Sequence, residues 1–202
     1  MDFALNAWHI FNQSIGDYHL TDHVDEPQKQ PFPAGSLEQL LYSKNWIDTV
    51  QWHLEDIIRD ESITPDQALL IKRRIDASNQ KRTDLVEYLD SWFLNHFIDI
   101  VPAKEATINT ETPAWALDRL SILALKIYHM NLEAERQSAT PEHRAKCTTK
   151  LDVLLEQKTD LMTSINQLLA DIENGKVKMK TYKQMKMYND ESLNPVLYQK
   201  AK

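Results

Sequence analysis

Apolar side chains recur at three- and four-residue intervals in separate stretches of this chain, divided by polar segments that carry helix-stop residues. Residues 2–18 place Phe3, Ala7, Ile10, Phe11 and Ile15 on one side of a helix. A loop with Pro27, Pro31 and Pro33 follows and ends at Gly35. Ser36 opens a second helix, with Gln39 completing a capping box. Leu37, Leu40, Leu41, Ile47, Val50, Leu54, Ile57 and Ile58 supply its apolar face as far as about Asp60. Thr64-Pro65-Asp66-Gln67 repeats the start signal with proline at the first helical position, and this third helix runs from Pro65 to about Ile98. After Pro102 and a loop rich in Thr, Asn and Glu, Thr112-Pro113 starts a fourth helix to about Gln137. Thr140-Pro141 starts a fifth to about Glu173, where Asn174-Gly175 is a stop signal. The pattern predicts an all-α, up-and-down bundle of about five helices over residues 1–175.

One stretch of the third helix breaks the pattern. From Lys72 to Asp84 the only large apolar residue is Ile75. At 100° per residue, Ile71, Ile75, Ser78, Arg82, Leu85, Leu89 and Phe93 nevertheless share a face, which puts Arg82 inside the apolar stripe. A buried guanidinium has to be paired or it costs several kcal/mol. Asp48, Glu55 and Asp118 are the expected partners. Arg74, Ser78, Asn79 and Arg82 together read as a set of donors facing the interior, of the kind that holds phosphate or carboxylate. The competing reading is that Arg82 pairs with a carboxylate of the second helix and only fixes packing.

The second and fourth helices carry the remaining candidates. Lys44, Asp48, Gln51 and Glu55 form a stripe bordering the apolar face, either as i,i+4 surface pairs or with Asp48 or Glu55 as a general base or metal ligand. His53 and Asp56 point toward Trp46 and Trp52. The fourth helix is apolar over most of its circumference, as expected of a central helix, and collects Asp118, Arg119, Lys126, His129 and Glu133 on a narrow strip. If that strip faces a cleft, His129 is the acid or base suited to neutral pH, with Glu55 as the other candidate. Arg74, Asn79 and Arg82 would hold an anion, and Asp118 and Arg119 would orient it.

Known chemical motifs are missing. The chain has no glycine-rich phosphate loop, no Gly-x-Ser-x-Gly, no His-Glu-x-x-His and no Glu-x-x-His, so no metal ligands and no cofactor are assigned. Cys147 sits near Lys146 and Lys150 with no histidine partner to activate it. A lone cysteine fits a reducing compartment. The N-terminus lacks the pattern of a secretory leader, and the most apolar run, Ile122–Leu125, stops at Lys126, so the expected location is cytoplasmic with no membrane span.

Charge divides the chain. Residues 176–202 carry a net charge of +5 and the rest −12. The overall −7 argues against nucleic-acid binding. The tail, residues 176–202, is read as a basic extension packed on the bundle, with Val177 and Met179 alternating like a short strand and Tyr182, Tyr188 and Leu193 inward.

Three blocks, Lys44–Asp56, Arg73–Asp84 and Thr112–Met130, together with the Tyr188-Asn189-Asp190 and Leu193-Asn194-Pro195 ending, resemble a bacterial domain-of-unknown-function family numbered four-two-five-four. The resemblance covers nearly the whole chain. It implies a self-contained helical domain and a link to glycosyltransferases of surface polysaccharide, with no activity to carry over. The expected function is binding or processing of a phosphorylated small molecule such as a sugar phosphate or nucleotide sugar. The alternative is a structural or regulatory protein partner of a glycosyltransferase-type enzyme.

Overall fold

A computed structural model describes residues 2–185 and 192–193. Five helices follow one another: α1 (Phe3–Tyr18), α2 (Leu37–Ile58), α3 (Pro65–His96), α4 (Pro113–Glu135) and α5 (Pro141–Glu173). Each expected start is capped as its residue types require. The Asp2, Ser36, Thr64, Thr112 and Thr140 side chains accept from backbone N–H groups three residues on. The reciprocal capping box forms at Thr64 and Gln67. At Ser36 only half of it forms: the Ser36 N–H donates to Pro33 O at 3.1 Å, and the Gln39 amide donates to Ser43 Oγ at 3.1 Å.

Helix α4 is central. It packs on every other helix, whereas α5 packs only on α4 and α1 among the described residues. Leu117, Leu120 and Ala124 of α4 meet Phe11, Ile15 and Tyr18 of α1, Tyr42 and Trp46 of α2, Leu89 and Phe93 of α3, and Ile165 and Leu168 of α5 in one core. No helix among the described residues is long and apolar enough to cross a membrane.

The face that α2 buries differs from the one its apolar residues suggest. Lys44, Asn45, Asp48 and Thr49 are buried beside Leu41, Tyr42, Trp46 and Leu54, while Ile57 is exposed and Ile47 and Val50 are only half-buried. Polar side chains that satisfy one another can displace aliphatic ones from an interior face.

Gly175 ends α5 in the left-handed region, φ +68°. A Cβ there would lie 3.0 Å from Val101 O, and Gly175 O accepts from Ala103 N at 2.9 Å, so the chain reverses in close contact with the 97–112 loop. Beyond it Val177 forms an isolated parallel bridge with Thr107. Val177 and Met179 pack against the core. Tyr182 and Leu193, expected inward, are exposed, and the Tyr182 ring lies under Lys180 instead. Tyr188 falls outside the described residues.

Asp90 ties α3 to the start of α4 through a hydrogen bond with Thr112, and its Oδ1 is buried with no hydrogen-bond partner among the described residues. Burial holds this carboxyl above the ordinary range, Thr112 opposes the shift and Glu87 adds to it. A carboxyl with a folded-state pKa above its unfolded one binds protons more tightly when folded. Its ionised form therefore weakens the fold, a cost absent below the unfolded value and complete above the folded one. Asp90→Asn keeps an acceptor for Thr112 and removes the charge. Thermal melts of the variant are expected to show a higher Tm than the parent at neutral pH and an equal Tm below the ordinary carboxylate range. A lower Tm at neutral pH would mean that the ionised carboxylate stabilises the fold.

Candidate functional site

Between α2, α3 and α4 two cations and two carboxylates close into a ring. Lys44 Nζ donates to Asp48 and lies 2.9 Å from Asp118 Oδ1. Arg82 Nε lies 3.1 Å from Asp48 Oδ1, and its Nη2 lies 2.5 Å from Asp118 Oδ2. Each cation thus touches both carboxylates, and the four charges sum to zero. Lys44 is fully buried and the carboxylates nearly so, while Arg82 keeps 25% of its side chain exposed. Ser121 Oγ donates to Asp48 Oδ2 at 2.6 Å, and Asn45 Nδ2 donates to Ser121 Oγ at 3.0 Å. Burial pushes the Asp48 carboxyl up; Lys44 opposes this, Asp118 adds to it, and Ser121 pulls it down.

The pairing expected for Arg82 is present with Asp48 and Asp118, but not with Glu55. The surface-pair reading of Lys44 and Asp48 fails because both are buried. Gln51 and Glu55 do not pair either. Gln51 Nε2 donates to Asn79 Oδ1 at 2.9 Å and Gln51 Oε1 accepts from Ser78 at 3.1 Å, whereas Glu55 binds Arg59 at 3.2 Å.

A cleft of about 270 Å³ opens over the exposed edge of the ring, lined by Asp48, Gln51, Trp52, Glu55, Asp56, Arg59, Arg82, Ile122 and Leu125. Arg82 spends Nε and Nη2 on the two carboxylates. Nη1 has no partner among the described residues, so the guanidinium presents its outer edge in a fixed orientation. The cleft combines that edge with a second arginine, three carboxylates, an amide and an indole.

The remaining expected site residues are dispersed. Arg74 binds Asp25 Oδ1 at 2.5 Å in the loop after α1, two helical turns from Arg82. Asn79 supports the wall of the cleft through Gln51. The narrow strip on α4 splits. Asp118 turns inward, whereas Arg119 is exposed, pairs with Glu111 at 2.8 Å, and lines a larger groove of about 660 Å³ between α4 and α5 with Lys126 and Asp160. Glu133 binds Arg136 and His143 outside the cleft. His143 also lies 3.4 Å from Cys147 Sγ, a partner that the sequence did not suggest. The same Nε2 faces both Glu133 and the thiol, so the imidazole cannot relay a proton between them through opposite nitrogens.

His129 does not line the cleft. It stacks on Trp52 at 4.7 Å, behind the indole, in a cluster with His19 and His53. Burial, with His53 and His19 beside it, pushes its pKa down to about 4, and burial lowers His53 as well. Both imidazoles are therefore uncharged at neutral pH. Sequence reasoning set His53 apart from His129 and did not include His19. His19 caps the end of α1, His53 lies on α2 and His129 on α4, and no spacing within a single helix signals the cluster.

The family model described as Protein of unknown function (DUF4254) matches residues 38–181, and the chain belongs to that family. No curated protein and no solved structure matches. The matched span includes Lys44, Asp48, Arg82 and Asp118 as well as every residue lining the cleft.

Removing either cation leaves two buried carboxylates facing one positive charge. Lys44→Ala is expected to destabilise by about 3–5 kcal/mol in urea unfolding, the range for breaking a buried pair. Arg82→Ala should act in the same direction by somewhat less, because part of its charge reaches solvent. Losses below about 1 kcal/mol for both would match surface ion pairs and would contradict a buried ring.

Proposed function

We propose that the cleft between α2, α3 and α4 binds a small phosphorylated sugar of the kind used in surface-polysaccharide assembly. The supporting observation is the fixed outer edge of Arg82, which two buried carboxylates aim into the cleft beside Arg59 and Trp52. A guanidinium edge held this way loses little side-chain freedom when it grips a phosphate oxygen. The indole and the Ile122 and Leu125 side chains give an apolar wall suited to the C–H face of a sugar ring. Glu55, Asp56 and Gln51 can accept from or donate to hydroxyls.

Charge limits the ligand. The ring neutralises Arg82 from behind, and Glu55 and Asp56 outnumber Arg59, so the cleft suits one phosphate and several hydroxyls better than a highly charged group. Size limits it as well. About 270 Å³ lies at the small end of ligand pockets, which favours a single sugar phosphate over a nucleotide sugar. If the ligand is turned over, Glu55 is the acid–base candidate at the rim, whereas His129 sits behind the Trp52 indole and does not face it. The fully paired interior of the ring is the feature that favours the alternative, a non-catalytic partner of a glycosyltransferase-type enzyme, in which the ring serves fold specificity alone.

The test is a thermal-shift and calorimetric screen with glucose 1-phosphate, glucose, inorganic phosphate and UDP-glucose, run in the presence of chelator. Glucose 1-phosphate is expected to raise Tm more than the sugar, phosphate or nucleotide sugar does. Arg59 is largely exposed, so Arg59→Ala should leave the free protein's stability within about 1 kcal/mol and remove the ligand-induced rise. The absence of a shift with any probe, or a shift that survives Arg59→Ala, would overturn this reading.

A further inference from the structure

Three imidazoles converge where the end of α1 meets α2 and α4. One ring nitrogen from each of His19, His53 and His129 lies within 4.8 Å of one from each of the others. The ring centroids are 5.2, 5.6 and 5.6 Å apart, and the ring planes meet at 64°, 67° and 66°. The rings are therefore disposed like three blades around an axis. His19 Nε2 and His53 Nε2 are 3.3 Å apart. A tetrahedral ion bound at about 2.0–2.1 Å sets neighbouring imidazole nitrogens roughly 3.3–3.4 Å apart. One edge of the triangle already has that length, and the others need to close by no more than about 1.5 Å to reach it.

The surroundings hold the rings as a metal site holds its ligands. His19 Nδ1 lies 2.7 Å from Ile15 O and donates to it, which leaves the Nε2 lone pair facing the cluster. His53 stacks on Tyr18 at 5.0 Å, His129 on Trp52 at 4.7 Å, and His19 rests against Tyr128 at 4.3 Å, so each ring has its own aromatic seat. His129 Nε2 is closed off from solvent with no hydrogen-bond partner among the described residues, a cost that a ligand bond would remove. Asp22 brings a carboxylate to the His19–His53 edge of the triangle, on its solvent side. Its Oδ1 lies 3.6 Å from His53 Nε2 and 4.0 Å from His19 Nε2. Its backbone is in the left-handed region, φ 51°, and its N–H donates to Tyr18 O at 3.0 Å, so the turn after α1 is bent back over the histidines.

We propose that His19, His53 and His129, with Asp22 as fourth ligand, bind a divalent transition-metal ion of the zinc type. Three imidazoles and one carboxylate suit a borderline ion in tetrahedral geometry, and they do not suit calcium or magnesium, which take oxygen ligands. On binding, His53 gives up the Nε2 proton that faces His19 and carries it on Nδ1. The site lies behind Trp52 from the sugar-phosphate cleft and does not depend on that reading. Asp56, which lines the cleft, exerts its charge on both His53 and His129, so the two sites share a wall.

Full-length protein stripped with chelator and dialysed is titrated with Co²⁺ and with Zn²⁺. The expected result is one equivalent bound per chain, a visible Co²⁺ spectrum of the intense tetrahedral type that Zn²⁺ abolishes, and a rise in Tm with either ion. His53→Gln and His129→Gln are each expected to lose that spectrum, and Asp22→Asn, at an exposed position, to weaken binding by about 10–100-fold. Circular dichroism checks the fold of each variant. If the half-buried histidine variants fail to fold, the wild-type stoichiometry and Asp22→Asn decide alone. A stripped wild type that takes up no ion, or a tetrahedral spectrum unchanged in Asp22→Asn and in any folded histidine variant, would overturn the proposal.

Discussion

The ring of Lys44, Asp48, Arg82 and Asp118 constrains the rest of this fold. Four charges in the interior of a helical bundle are costly to desolvate, and the cost is offset only when each faces its opposites at close range. Here each cation has two carboxylates and each carboxylate two cations, drawn from three helices. The geometry leaves little freedom. A slip of α2 by one residue, or of α3 by one turn, would strand a buried charge. The ring thus fixes the register of α2 and α3 against the central α4 in a way that aliphatic packing alone would not.

That registration positions the chemistry on both sides of α2. On one edge the ring opens through Arg82 into a cleft. On the other, His53 faces His19 and His129 across the α1–α2–α4 junction, with Trp52 between the two regions. The turn after α1 completes this second region through Asp22, whose left-handed backbone returns the chain over the imidazoles. The ring and the Asn45–Ser121 pair behind it account for the buried Lys44, Asn45 and Asp48 of α2.

Helix boundaries were legible in the sequence because Ser and Thr caps, several followed by proline, have one local meaning and need no tertiary contact to act. The central place of α4 was legible from an apolar surface over most of its circumference, and the inward pairing of Arg82 from its position in an apolar stripe. Helical periodicity misplaced the buried face of α2, because Lys44, Asn45, Asp48 and Thr49 go inside against the rule that apolar side chains do. Adjacency hid the fate of Asp118 and Arg119. The two are neighbours in sequence but about 100° apart around the helix, so one enters the ring and the other lines the groove toward α5. The histidine cluster was invisible because its members are 34 and 76 residues apart and meet only once three helices have packed.

A double-mutant cycle on Arg82 and Asp118 tests the ring most directly, with Arg82→Met and Asp118→Leu made singly and together and unfolding free energies measured in urea. A closed ring predicts that each single change is costly and that the pair costs less than the sum, with a coupling of about 1–3 kcal/mol. Additive effects, with a coupling near zero, would mean that the two side chains do not depend on each other and would contradict a closed ring.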